Sequence, residues 1–93
     1  DNLSDIFSRF AKENVRIDLM QNSAVAFSVV VDDTARSRTL VDKLSVDYQV
    51  LYNSGLELIT VRHYDESTLD QLLKEKTILI EQRSRTTARF VVK

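Results

Sequence analysis

Asp18 and Ser23, five residues apart at the end of an alternating apolar segment, are the side chains best placed to do chemistry in this 93-residue chain. An acid at a strand end beside a helix N-terminus can take the ammonium group of an amino acid. Backbone N–H groups opening a helix at Leu3 can take its carboxylate, because free donors and the helix dipole favour anions there. The plainer reading of Asp18 is a solvent-facing residue on an alternating strand. His63 with Asp65 and Glu66 offers a metal-ligand grouping, but without a second His or any Cys it has no zinc-type donor set. His63 alternates within an apolar segment and reads as a sheet-surface residue. Arg83, Arg85 and Arg89 fall on one hairpin, where a phosphate clamp competes with cross-strand pairing to Glu81 and Glu57. Nothing orders Ser, His and Asp into a triad, and a single glycine cannot build a phosphate-cradling loop.

The sequence also repeats itself. Gln21-x-Ser23-x-x-Ala26-x-x-Val29-Val30 returns, with one extra residue, as Gln82-x-Ser84-x-x-x-Ala88-x-x-Val91-Val92. Each copy follows a short amphipathic segment, Leu3 to Ala11 and Leu69 to Leu73, so the repeat describes a duplicated helix–strand–turn–strand unit. Gln21 and Gln82 occupy equivalent places, as do Ser23 and Ser84. A turn amide there can bind ligand, bridge two subunits or satisfy local backbone.

The elements that position these residues follow from periodicity. Leu3, Ile6, Phe7, Phe10 and Ala11 make one face of a helix, with Asn2 as N-cap and Asn14 as stop. Val15, Ile17 and Leu19 then alternate as a strand, Gln21-Asn22-Ser23 turns the chain, and Ala24 to Val31 returns. Val25, Phe27, Val29 and Val31 share one face of that strand. Ala24, Ala26 and Ser28 form a small-residue face suited to close approach. Asp32-Asp33-Thr34 opens a helix bearing Leu40, Val41 and Leu44. Tyr48, Val50 and Tyr52 predict a third strand, ended by Asn53-Ser54-Gly55. Leu56 to Tyr64 predicts a fourth, Ser67 with Asp70 caps a third helix carrying Leu69, Leu72 and Leu73, and Ile78 to Val92 folds as a hairpin around Arg83-Ser84-Arg85.

The order α-β-β-α-β then β-α-β-β belongs to the α+β class. It fits two incomplete ferredoxin-like βαββαβ units, each with an antiparallel sheet and its helices on one face. Residues 1–54 form the first unit, lacking its opening strand, and 55–93 a partial second. Strands from upstream sequence or a partner chain would complete them, since strand edges seldom stay unpaired. The absence of an initial Met reads as a piece of something longer. A formal charge of −1 gives no electrostatic case for nucleic acid or an anionic membrane. No apolar segment approaches the roughly 20 residues of a membrane span. The lack of cysteine excludes disulfides and fits a reducing compartment.

Three segments carry a family resemblance. Leu3-Ser-Asp-Ile-Phe-Ser-Arg-Phe leads into Val15-Arg-Ile-Asp-Leu-Met-Gln-Asn-Ser-Ala, and near the end come Leu58-Ile-Thr-Val-Arg-His and Leu79-Ile-Glu-Gln-Arg-Ser-Arg. Across nearly all 93 residues the chain resembles the C-terminal regulatory region of aspartate kinases, built of two ACT domains. The resemblance implies a cytoplasmic homo-oligomer whose ACT domains pair edge to edge and bind a feedback amino acid, lysine or threonine, at the interface. It implies that Asp18 contacts the effector, with Leu3, Ile17, Asn22 and Ser23 at neighbouring effector positions and Gln21, Gln82 and Ser84 as a second copy or interface set. It also implies an upstream kinase domain, absent from this chain, that uses ATP and Mg to phosphorylate aspartate. No cofactor or metal is expected in the chain itself.

Two positions depart from the family pattern. Asp1 stands where glycine is usual, and its charge would repel an effector carboxylate; Asn2 replaces a larger apolar residue. A pure dimerisation module with a lost ligand site is therefore an alternative. An RNA-recognition-type domain shares the topology, but Phe27 is the only aromatic of one candidate strand and Tyr64 merely ends the other, so stacking platforms are missing.

Overall fold

In the computed structural model, which describes residues 2–93, Asn14 ends the first helix in the left-handed region at φ 55°. Its N–H donates to the Ala11 carbonyl (3.1 Å) and the Val15 N–H to the Phe10 carbonyl (3.0 Å), the double bond of a Schellman cap. Val15 thereby folds back onto Phe10, where both join the apolar core. Helix α1 spans Asn2–Lys12. Asn2 is itself helical rather than a cap, and Asp1 lies outside the described residues.

The chain divides between Tyr52 and Asn53 into two units. In the first, α1 is followed by β1 (Leu19–Asn22), β2 (Phe27–Val30) and α2 (Ala35–Asp47). The strands pair antiparallel, with Leu19 opposite Val30 and Asn22 opposite Phe27. Phe10 from α1 and Leu40 and Leu44 from α2 form the buried cluster, against which Val29 and Val31 pack, so both helices cover one face of the hairpin. Thr34 caps α2 through a capping box with Ser37: the Thr34 Oγ1 accepts from the Ser37 N–H (3.1 Å) and the Ser37 Oγ accepts from the Thr34 N–H (3.0 Å).

Three sequence expectations are corrected here. The strand from Val15 begins later: Val15 and Ile17 pack beneath the helices, and ladder bonding starts only where the Asp18 N–H donates to the Val30 carbonyl (2.8 Å). Leu19, opposite Val30, consequently sits on the other face from Ile17. The returning strand is shorter, because Ser23 closes the hairpin onto Ala26 and leaves Ala24 and Val25 as its tip. Ala24, Ala26 and Ser28 therefore do not make one strand face, and Val25 is 94% exposed. Tyr48, Val50 and Tyr52 form no strand. In a βαββαβ sheet the last strand pairs with the first, and no strand precedes α1 among the described residues to offer a ladder.

The second unit runs β3 (Glu57–Arg62), α3 (Glu66–Leu72), β4 (Ile78–Arg83) and β5 (Thr87–Val92). All pairing is antiparallel, in the order β3-β5-β4, with a register shift between Ile78 and Ile80. Central β5 sends Ala88, Phe90 and Val92 under Leu69 of α3, joined by Ile59 and Val61 of β3. Leu72, at 41% exposure, stays outside this core. The helix is capped by Asp65, not Ser67: the Asp65 carboxylate accepts from the Thr68 N–H (2.8 Å) and the Ser67 hydroxyl (2.9 Å), which holds its pKa below the ordinary 3.8. His63 is not within the strand. It follows β3 at φ 54°, exposed, with its N–H donating to the Thr86 carbonyl.

Candidate functional site

The duplicated sequence becomes two hairpins closed in the same way. The Ser23 N–H donates to the Ala26 carbonyl (2.9 Å) while its hydroxyl accepts from the Ala26 N–H (3.1 Å). The Ser84 N–H donates to the Thr87 carbonyl (2.8 Å) and its hydroxyl accepts from the Thr87 N–H (3.2 Å). Gln21 faces Ser28 across one ladder and Gln82 faces Arg89 across the other. The structural repeat thus needs no inserted residue: Ala26 matches Thr87 and Val29 matches Phe90. The gap in the sequence alignment came from matching Val-Val pairs, whereas the hairpin aligns on the serine.

The five effector-position residues do not form one cluster within the chain. Asp18 stands at the start of β1 and Asn22 at its end, about 13 Å apart at the usual strand rise. α1 runs back along the hairpin, with the Phe7 ring edge-on to Phe27 at 5.5 Å, so Leu3 in its first turn belongs to the Asn22–Ser23 end. Ile17 belongs to the Asp18 end and is half-buried against the Phe10–Leu40–Leu44 cluster. An α-amino acid separates its charged groups by only a few ångströms. Asp18 of one chain is therefore too far from Leu3, Asn22 and Ser23 of the same chain for the α-ammonium and α-carboxylate of one ligand to be held by both ends.

The Asp18 carboxylate, 13% exposed, already has a cation. Arg16 Nε and Nη2 both reach its Oδ1 at 3.1 Å. Periodicity contains the signal for this partner, since residues two apart in an extended segment share a face. Arg16 also lines a cleft of about 460 Å³ between the end of α1 and the start of α2, with Asn14, Asp32 and Arg36. Asp32 and Thr34 of the capping cluster line its far wall.

In the second unit, Gln82 and Ser84 border a smaller cleft of about 180 Å³ with Arg83, Thr87 and Arg89. Arg83 is the hub. It pairs with Glu66 and with Glu81, both at 2.7 Å, and lies 5.6 Å from the Tyr64 ring centre and 5.8 Å from that of Phe90. The Glu66 hydrogen bond leads in pushing its guanidinium pKa upward. The phosphate-clamp reading gives way to this pairing for Arg83. Among the described residues no group of three or more His, Asp or Glu side chains could hold a metal, and no helix is long and apolar enough to cross a membrane.

No protein-family model and no curated protein matches the sequence. Among solved structures, the chain is similar to E. coli aspartokinase III, crystallised with aspartate and ADP in its R-state. The TM-score is 0.71 at 21% identity, over 97% of this chain and 24% of that one. The fold is thus the α+β, ferredoxin-like arrangement found in that part of the enzyme, and the chain spans about a quarter of the enzyme's length.

Proposed function

We propose that this chain is the amino-acid-sensing regulatory region of an aspartate kinase, whose ATP- and Mg-dependent kinase domain lies elsewhere in the parent protein. The observation that carries the reading is the structural similarity of nearly the whole chain to about a quarter of aspartokinase III. The local roles of the reactive side chains agree with it. Ser23 and Ser84 close hairpins, Asp65 caps a helix and His63 follows a strand, and turnover is expected of the kinase domain alone.

The split of the effector positions supports a site shared between two copies. Among the described residues β1 pairs only with β2, leaving its outer edge open. Two β1 edges joined antiparallel about a two-fold axis set the Asp18 end of one copy against the Asn22–Ser23 end of the other. There Asp18 takes the ligand ammonium, after exchanging Arg16 for it, and the first turn of α1 from the second copy takes the carboxylate. Lysine and threonine are the ligands to test first.

Calorimetric titration with each amino acid, beside sedimentation at micromolar concentration, tests the reading. The expected result is a dimer that binds one of the two, and Asp18→Asn should weaken binding by roughly 1.5–3 kcal/mol through the lost charge-assisted hydrogen bond. In the full-length kinase the same substitution should abolish feedback inhibition with uninhibited kcat near the parent value. A large fall in kcat would mean that Asp18 supports catalysis directly. Unchanged inhibition would move the sensor to the Gln82–Ser84 copy. The Arg16–Asp18 pair favours a second reading, a pairing module without a ligand. A dimer that binds neither amino acid would select it.

A further inference from the structure

Helix α1 is held differently from every other element of the first unit. Of its eleven residues only Phe10 is buried, while Leu3 and Phe7 remain 36% and 38% exposed. α2 instead buries Ser37, Leu40 and Leu44 and carries a complete capping box. What joins α1 to the end of α2 is a closed polar ring. The Arg9 guanidinium donates to Asp47 Oδ2 (2.6 Å) and pairs with Asp5 Oδ2 (3.1 Å). The Tyr48 hydroxyl donates to that same Asp5 oxygen (2.7 Å), and Arg9 lies 5.5 Å from the Tyr48 ring centre. The charged groups facing one another are thus Asp5 and Arg9 from α1 and Asp47 and Tyr48 from α2. A second tie, Glu13 to Lys43, stands toward the other end of α1.

Tyr48 has a second duty. It is the C-cap of α2, its N–H donating to the Leu44 carbonyl at 2.8 Å, and from it the chain leaves extended toward Tyr52. That segment has no ladder partner among the described residues, and Leu51 and Tyr52 are 87% and 73% exposed. Tyr48 and Val50 are its anchors in the core. The ring therefore touches two sparsely buried segments of the unit at once.

We propose that Asp5, Arg9, Asp47 and Tyr48 form a latch whose opening releases the part of α1 ahead of Phe10 and the Tyr48–Tyr52 segment together, while the Phe10–Leu40–Leu44 core keeps α2 and the β1–β2 hairpin folded. Its members cooperate, because each orients the next, and lying at the surface they are weakened by salt. Opening the latch is thus a local event with two coupled readouts rather than partial unfolding of the unit.

Amide hydrogen exchange on the 93-residue chain tests this, comparing the parent with Tyr48→Phe and Arg9→Met. Tyr48→Phe keeps the ring and its packing and removes only the hydroxyl. Both variants should speed exchange in the first turns of α1 and at the Tyr48 N–H, which is bonded to the Leu44 carbonyl, together and by about threefold to tenfold, with β1, β2 and the rest of α2 unchanged. Raising ionic strength should do the same to the parent and have a smaller effect on Arg9→Met, in which the Glu13–Lys43 tie remains. Arg38→Met, which breaks the surface pair with Asp33, should leave both segments as they are. Acceleration spread evenly through the first unit, acceleration of only one of the two segments, or no acceleration would each overturn the latch.

Discussion

β5 has a hydrogen-bonded neighbour on each side, whereas among the described residues β1 and β2 have only each other. The consequence is visible in burial. Ala88, Phe90, Val91 and Val92 are all 1% exposed or less, yet no residue of β2 is fully buried. The two units share a hairpin closed by the same serine, so the difference does not come from the local sequence of the turn. It comes from a third strand and from what covers the sheet. A central strand loses both its edges and one face to protein, while a two-stranded ribbon is marginal until helices cover it. The second unit is therefore organised around a strand and the first around two helices.

Core substitutions offer the largest test of that contrast. Phe90→Ala should cost about 3–5 kcal/mol, since a fully enclosed ring leaves a cavity. Phe27→Ala, on a half-open strand, should cost about 1–2 kcal/mol. Urea unfolding followed by probes in each unit measures both, and equal costs would break the comparison. Helix anchoring comes next. Thr34→Ala removes the capping box of α2 and should cost about 0.5–2 kcal/mol, felt in the first unit alone. The paired hairpins should then behave alike: Ser23→Ala and Ser84→Ala each lose one side-chain acceptor and should each cost about 1 kcal/mol or less. Markedly unequal values would mean that only one serine keeps its closure in solution.

Acid titration gives the smallest effect. The Tyr48 hydroxyl first, then Arg9, lowers the Asp5 pKa below 3.8, and the Thr68 N–H first, then the Ser67 hydroxyl, does so for Asp65. A depressed folded-state pKa contributes stability that is present above the unfolded value and lost as pH falls through the folded one. Both contributions should be intact at pH 6 and fade below roughly pH 4. Carboxylate chemical shifts followed between pH 6 and 2 would show both midpoints displaced downward; an ordinary midpoint at Asp65 would remove its role as the α3 cap.

Much of this protein is dictated by its sequence alone. The helices over Leu3–Ala11 and beyond Thr34, the Asn14 stop and the duplicated hairpin all follow from spacing that a short segment satisfies by itself. Local hydrogen bonds and 3.6- or 2-residue periods need no distant partner, so they are legible. Only the tertiary structure decided the rest. The alternation of Tyr48, Val50 and Tyr52 is as regular as that of β3, yet a strand exists only where a ladder partner exists, and here none is available among the described residues. The Asp18 site followed the same rule. Residue types named it, but whether Asp18 meets Leu3, Arg16 or the end of another β1 depends on distances set by how α1 lies along the hairpin. Backbone periodicity encodes faces; which faces and edges meet is settled only when the elements pack.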